Sequence, residues 1–244
     1  WDVVDSLGDT LIVRTTAGAP RGHLLHFDMR TAKLQPQPLV PESSYSIDLA
    51  WVSAGKLFVS YTRDVVSLVE RYRLDGTREA TMSLPGAGTV IPIPMEEGSK
   101  DFFYAFSNLN SPGSIYRHDV ATSRDELFFA PQIPGYNMEA YETKQVFVTS
   151  KDGTKVPMFL IHKRGLELNG KNPTLLYGYG GFAVNVPPAF QSLRLALLEQ
   201  GFVYASVNLR GGLEYGEAWH EAGTKLRKQN VFDDCIAAAE WLIS

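Results

Sequence analysis

A single cysteine, Cys235, stands in 244 residues, so the chain cannot close an internal disulfide. It sits in an apolar helical stretch, and a buried, inert thiol is the expectation. There is no run of about 18 apolar residues, and Trp1-Asp2-Val3-Val4-Asp5 lacks the basic flank and apolar heart of a signal peptide. No membrane partner is therefore expected. The cytoplasm is the default compartment, with a periplasmic or secreted location left open because an internal piece of a longer protein would hide such a signal. A charge excess of one sign is missing too. With 23 basic and 27 acidic residues, a net charge of −4 and no long runs, there is no field to draw a polyanion, so no nucleic-acid partner is expected. Metal ligation lacks its spacing: His220-Glu221 is followed by Thr224 where a zinc protease needs a second histidine. His23, His26, His118 and His162 are scattered over predicted strands, so no metal is expected and a structural role for each is.

What is present is ordinary globular usage, 44% hydrophobic, 20% charged and 11% aromatic, enough for a core in each of two domains. The amino-terminal half repeats. Leu11-Ile12-Val13 returns at Leu57-Phe58-Val59 and at Phe102-Phe103-Tyr104, offsets of 46 and 45. Leu25-His26-Phe27-Asp28, Tyr72-Arg73-Leu74-Asp75 and Tyr116-Arg117-His118-Asp119 follow at 47 and 44, and Pro41, Pro85 and Pro131 close the units at 44 and 46. Each unit holds short runs rich in Val, Leu, Phe and Tyr, broken by turns such as Gly8-Asp9, Asp75-Gly76 and Ser111-Pro112-Gly113. About four strands at this period are the pattern of a β-propeller blade, which must stack on neighbours to bury both sheet faces. A plain antiparallel sandwich would also suit short strands, but has no reason to repeat at this period. Residues 1–135 are thus expected to form about three blades of an incomplete ring.

From about residue 136 to 244 strand and helix alternate. Gln145-Val146-Phe147-Val148 and Val156 to Ile161 flank Asp152-Gly153, a hairpin signal. Thr174 to Tyr177 reads as a buried strand entering a glycine turn. Pro187-Pro188 then opens a predicted helix with Phe190, Leu193, Leu197 and Leu198 on one face, ended by Gly201. Phe202 to Val207 is a continuous apolar strand of the kind covered on both faces in a parallel sheet. A last helix is expected to start with Asn230 as its cap and Asp233 and Asp234 in its first turn. Its predicted core stripe is Phe232, Ile236, Ala239 and Ile243, widened by Cys235, Ala238 and Leu242. The alternation is α/β.

Gly178-x-Gly180-x-x-Ala183 formally fits a dinucleotide fingerprint. The helix does not begin inside that turn, however, and the acid expected about 20 residues on, Glu199, lies within a helix. No cofactor is expected. Acyl transfer is the reading that remains. The loop after the third strand of an α/β-hydrolase supplies a donor to the oxyanion hole, and Tyr177-Gly178-Tyr179-Gly180-Gly181 occupies that place.

Pro173 to Phe182 resembles the prolyl oligopeptidase family of serine peptidases, and Asn208-Leu209-Arg210-Gly211-Gly212-Leu213-Glu214-Tyr215-Gly216-Glu217-Ala218-Trp219-His220 is similar to the family's stretch after the fourth strand. Leu213 departs from it, standing where the family has a third glycine. The resemblance is strong from about residue 150 to 230 and weak over the repeats. It implies partial β-propeller blades followed by the first part of an α/β-hydrolase domain, Tyr179 as the catalytic oxyanion donor, Phe182 and Val184 as substrate-binding walls of a proline pocket, and Tyr177 pointing into the core. Gly180-Gly181-Phe182 lacks the serine that the oligopeptidase B branch inserts, which favours the proline-specific branch. Short proline-containing peptides are the implied substrates, filtered by a propeller cap, and the full-length enzyme is expected to be a monomer. No Gly-x-Ser-x-Gly elbow occurs in the 244 residues. The catalytic serine, aspartate and histidine are therefore expected outside them, and the chain alone is expected to be inactive. Arg210, Glu214 and His220 are expected to brace the loop. An esterase or lipase of the same fold, and a non-catalytic propeller that binds partners, stay open as alternatives.

Overall fold

The computed structural model describes residues 1–93, 95 and 98–244. The chain divides into two compact units. One comprises Trp1–Phe106, Ile115–Phe129 and Tyr215–Glu217; the other comprises Ser107–Ser114, Ala130–Glu214 and Ala218–Ser244.

The first unit carries three four-stranded sheets, each in simple sequence order. They are β1 (Asp2–Leu7), β2 (Thr10–Thr15), β3 (His23–Asp28) and β4 (Gln37–Val40); β5 (Ser46–Ser53), β6 (Lys56–Arg63), β7 (Val66–Tyr72) and β8 (Arg78–Thr81); and β9 (Thr89–Ile93), β10 (Asp101–Ser107), β11 (Ser114–Asp119) and β12 (Arg124–Phe129). The sequence landmarks fall at equivalent places. The apolar triplets lie on the second strands β2, β6 and β10, and the second landmark on or just past the third strands. Each closing proline follows a fourth strand, where a residue without an N–H ends pairing.

Burial alternates along β10, with Phe102, Tyr104 and Phe106 buried and the residues between them less so. Such a strand buries one face within reach of its own sheet and needs a second layer for the rest. That layer is the next sheet. Ile12, Leu24, Leu39, Ile47, Leu57, Val59 and Tyr61 form one cluster from the first two sheets. Phe58, Val69, Val90, Phe102, Tyr104 and Val120 form another from the second and third.

The second unit holds a mixed sheet in the order β13 (Tyr141–Thr149), β14 (Lys155–Lys163), β16 (Val203–Val207), β15 (Thr174–Gly178). The hairpin at Asp152-Gly153 joins β13 to β14 in nine consecutive cross-strand pairs. β16 is buried at every residue, antiparallel to β14 and parallel to β15.

β15 corrects one expectation. It is an end strand of the described sheet, and Leu175 and Tyr177 are 42% and 44% exposed, so the strand is not buried and Tyr177 does not point into the core. The helix expected from Pro187 starts later, as α1 (Leu193–Glu199). Ahead of it the Val186 N–H donates to Glu214 and the Phe190 N–H to the Ser107 hydroxyl. Leu198 is buried but Leu193 is 88% exposed, so the predicted stripe is not one face.

After α2 (Glu217–Glu221), α3 spans Gln229–Ile243 with Lys228 at its N-cap position. Asn230 is not the cap: it lies inside the helix, and its side-chain amide donates to the Ala222 carbonyl at 2.9 Å. The buried residues of α3 are Val231, Asp234 and Ala238, whereas Phe232, Ile236 and Ile243 are exposed, so the predicted core stripe is rotated from the observed one. Asp234 lies on the buried face, where its carboxylate meets Arg210 of the loop after β16. Cys235 is free and half-buried.

Candidate active site in the glycine turn

β15 delivers Tyr177-Gly178 to a turn whose shape depends on two glycines. Gly180 has φ +60, and a Cβ there would lie 2.5 Å from Val231 Cγ1 and 2.8 Å from Leu209 Cβ. Gly211 has φ +100, and a Cβ there would lie 2.7 Å from the Gly180 carbonyl oxygen. The two loops thus touch backbone to backbone, an approach open only to residues without a side chain.

Between them the chain stores strain. Phe182 and Ala183 both adopt positive φ, +54 and +56, a region costing about 1–3 kcal/mol per non-glycine residue and found where a surrounding frame imposes it. The frame is visible in the hydrogen bonds. Lys228 Nζ donates to the Gly180 carbonyl at 2.6 Å, and the Ala183 N–H donates to the Gly211 carbonyl at 3.0 Å. His220 Nδ1 donates to that same Gly211 carbonyl at 2.7 Å. The Leu213 N–H donates to Asn185 Oδ1 and the Val186 N–H to Glu214 Oε1. Asn208 Nδ2 donates to the Val186 carbonyl at 2.7 Å and to Glu214 Oε1 at 3.3 Å.

Two ionisable groups lie beneath this frame. Glu214 is 1% exposed, and its Oε2 has no hydrogen-bond partner among the described residues. Burial pushes its carboxyl above the ordinary glutamate range, against the smaller opposing effect of the N–H donors on Oε1. Arg210 has a side chain 5% exposed and lies between two acids. Its Nη2 is 2.5 Å from Asp234 Oδ1 and its Nη1 is 2.5 Å from Asp152 Oδ2, with Ser150 Oγ accepting at 3.2 Å. The Asp234 contact raises the Arg210 pKa, and Arg210 in turn holds Asp152 well below the usual carboxylate range. Arg210, Glu214 and His220 therefore brace the loop, as the sequence led one to expect. The bracing roles of Lys228, Asn185, Asn208 and Asp234 were not foreseen. For Asp234 there was a signal in the sequence, an acid inside an otherwise apolar helical stripe.

The exposed side of the turn carries all three expected site residues. The Tyr179 side chain is 48% exposed, with its ring centroid 6.5 Å from that of Phe182. Phe182 is 86% and Val184 45% exposed. Tyr179 follows directly on the carboxyl end of a strand that is parallel to its neighbour, the place where open α/β sheets present binding groups. Glu199 ends α1 and pairs with Lys163 at 2.8 Å. His118 is buried against Asp125 at 2.9 Å and His162 against the Lys163 carbonyl at 2.9 Å, as structural histidines are.

The chain is similar to known proteins over nearly its whole length. The family model described as the prolyl oligopeptidase N-terminal β-propeller domain matches residues 1–131, and the one described as the prolyl oligopeptidase family matches residues 188–244. The chain belongs to the prolyl oligopeptidase family. Among its relatives, the prolyl endopeptidase of Elizabethkingia meningoseptica is 39% identical over 242 residues, 99% of this chain and 34% of that protein. The prolyl endopeptidase of Dictyostelium discoideum is 39% identical over 216 residues, 87% of this chain and 28% of that one. A solved prolyl endopeptidase structure is 42% identical with a TM-score of 0.90, covering 98% of this chain and 35% of that one. Prolyl oligopeptidase B of Galerina marginata, solved with a 25mer macrocyclization substrate, is 28% identical with a TM-score of 0.92, covering 99% of this chain and 34% of that one. The chain thus spans about a third of the length of these prolyl oligopeptidase relatives. Their likeness covers both the three blade-like sheets and the opening strands of a hydrolase sheet.

Proposed function

We propose that this chain is part of a serine-type prolyl oligopeptidase that hydrolyses short peptides on the carboxyl side of proline. The observation that carries the reading is an exposed phenol, Tyr179, on a strained turn held by side chains on several elements. A preorganised donor of this kind stabilises the charge that develops on a carbonyl oxygen under attack, and does so without reorganising during the reaction. In this reading Tyr179 donates its O–H to the tetrahedral oxyanion. Phe182 and Val184 offer apolar surface to the proline ring, which has no amide hydrogen to satisfy.

The 244 residues hold no Gly-x-Ser-x-Gly turn, so the attacking serine and the histidine and aspartate that serve it are supplied by sequence outside them. Peptides as substrates are supported by the Galerina marginata neighbour, which was solved with a bound peptide. The test is Tyr179→Phe in the complete gene product, assayed on a proline-arylamide. Loss of one oxyanion donor corresponds to about 2.7–4 kcal/mol of barrier, so turnover is expected to fall roughly 100- to 1,000-fold. Full activity of the variant would overturn the assignment. Cleavage of nitrophenyl esters with no action on the arylamide would favour an esterase.

A further inference from the structure

Lys228 has no part in the chemistry above, yet it contacts the residue next to Tyr179. Its Nζ lies 2.6 Å from the carbonyl oxygen of Gly180, the residue that follows the tyrosine. A hydrogen bond from an ammonium group is roughly twice as strong as a neutral one. It fixes the direction of this carbonyl and so the peptide plane that joins Gly180 to Gly181. The same helix start makes a second contact: Val231, in the first turn of α3, sits where a side chain on Gly180 would be. Three residues before Lys228, Lys225 adopts φ +50, another strained position in the segment that presents the lysine. The buried acid of the same helix, Asp234, is paired with Arg210.

We propose that Lys228 is a positioning residue for the oxyanion donor. By pinning the Gly180 carbonyl it sets the backbone at Tyr179 and so the line along which the phenol meets a developing oxyanion. The inference rests on the function proposed above, and it differs from a purely structural role for Lys228 at the start of α3. A structural lysine would affect folding, or every step alike. A positioning lysine acts through the phenol.

The test is a double-mutant cycle in the complete gene product, read on a proline-arylamide. Lys228→Met is expected to lower kcat about 10- to 100-fold, the effect of a misplacement of about 1 Å, with KM within about twofold. In the Tyr179→Phe background the same change is expected to alter kcat by less than about twofold, because the group it aims is gone. Lys228→Arg, which keeps a charged donor, should recover most of the loss. Lys228→Gln, which keeps an N–H donor without the charge, should fall between and serves if the methionine variant does not fold. The inference is overturned if Lys228→Met keeps full kcat while Tyr179→Phe is impaired. It is also overturned if the lysine change costs as much without the phenol as with it. Full activity of Tyr179→Phe would instead reject the proposed function itself, and this inference with it.

Discussion

At the scale of single residues, the site depends on buried charge more than on the exposed groups that identify it. Asp234 is fully buried and gives both carboxylate oxygens to Arg210, which also receives Asp152 from the β13–β14 turn. Breaking a buried pair leaves an uncompensated charge in a poorly solvated place and costs about 3–5 kcal/mol. Asp234→Ala is expected to destabilise the hydrolase unit by that amount, read as a lower urea midpoint with an unchanged slope. Its loss should also release the backbone N–H of Arg210, which donates to Asp234 Oδ2 at 3.1 Å, and so loosen the loop that carries Gly211. Local motifs marked Tyr179, Phe182 and Val184, through their resemblance to the prolyl oligopeptidase family. They did not pair Arg210 with Asp234, which stand 24 residues apart and meet only when a helix packs against a loop.

At the scale of elements, the loop from Tyr179 to Val186 is held from one side by Glu214 and Asn208, on the segment that follows β16. Glu214 titrates unusually, since burial lifts its folded pKa above the ordinary value of about 4.3 that it takes in the unfolded chain. The neutral form is the one the fold favours. Its contribution to stability is thus complete below the ordinary glutamate pKa and is lost as pH rises through the raised folded value. Glu214→Gln cannot ionise and keeps an acceptor for the Val186 N–H. Urea midpoints measured at about pH 5 and about pH 8 are expected to fall between the two for the parent protein and to stay closer together for this variant. An equal drop in both would show that Glu214 is not the group responsible. The elements were read from the sequence with uneven success, and hydrogen bonds explain the difference. β13, β14 and β16 follow from apolar pattern and a tight turn. At α3 the Asn230 amide is spent on the Ala222 carbonyl and so does not cap the helix.

For the molecule as a whole, the main consequence lies in the apolar surface that each unit leaves open. The last strand of the third sheet, β12, is exposed at every residue. Leu127 and Phe129 are each more than half exposed, and Phe128 lies against Phe103 with ring centroids 4.9 Å apart. In the second unit, Leu175 and Tyr177 on the end strand β15 and Phe232, Ile236 and Ile243 on α3 are exposed as well. Long apolar end strands recruit further strands, and contiguous apolar patches recruit partners. The 244-residue chain expressed by itself is expected to form concentration-dependent oligomers, seen by size-exclusion chromatography with light scattering. Replacing Leu127 and Phe129 by lysine should reduce them. A monodisperse monomer across the concentration range would refute this account.

The sequence by itself determined the three-fold repeat, the change to alternating strand and helix, and the turn that carries Tyr179. Each of these is written in local spacing, a period of about 45 residues or a glycine at a strand end. Tertiary structure alone decided which face of α3 is buried, that Tyr177 lies outside the core, and that Lys228 and Gly211 meet the Gly180 carbonyl. Those outcomes depend on where distant segments come together, and hydrophobic pattern does not encode the partner of a buried charge or of a single carbonyl.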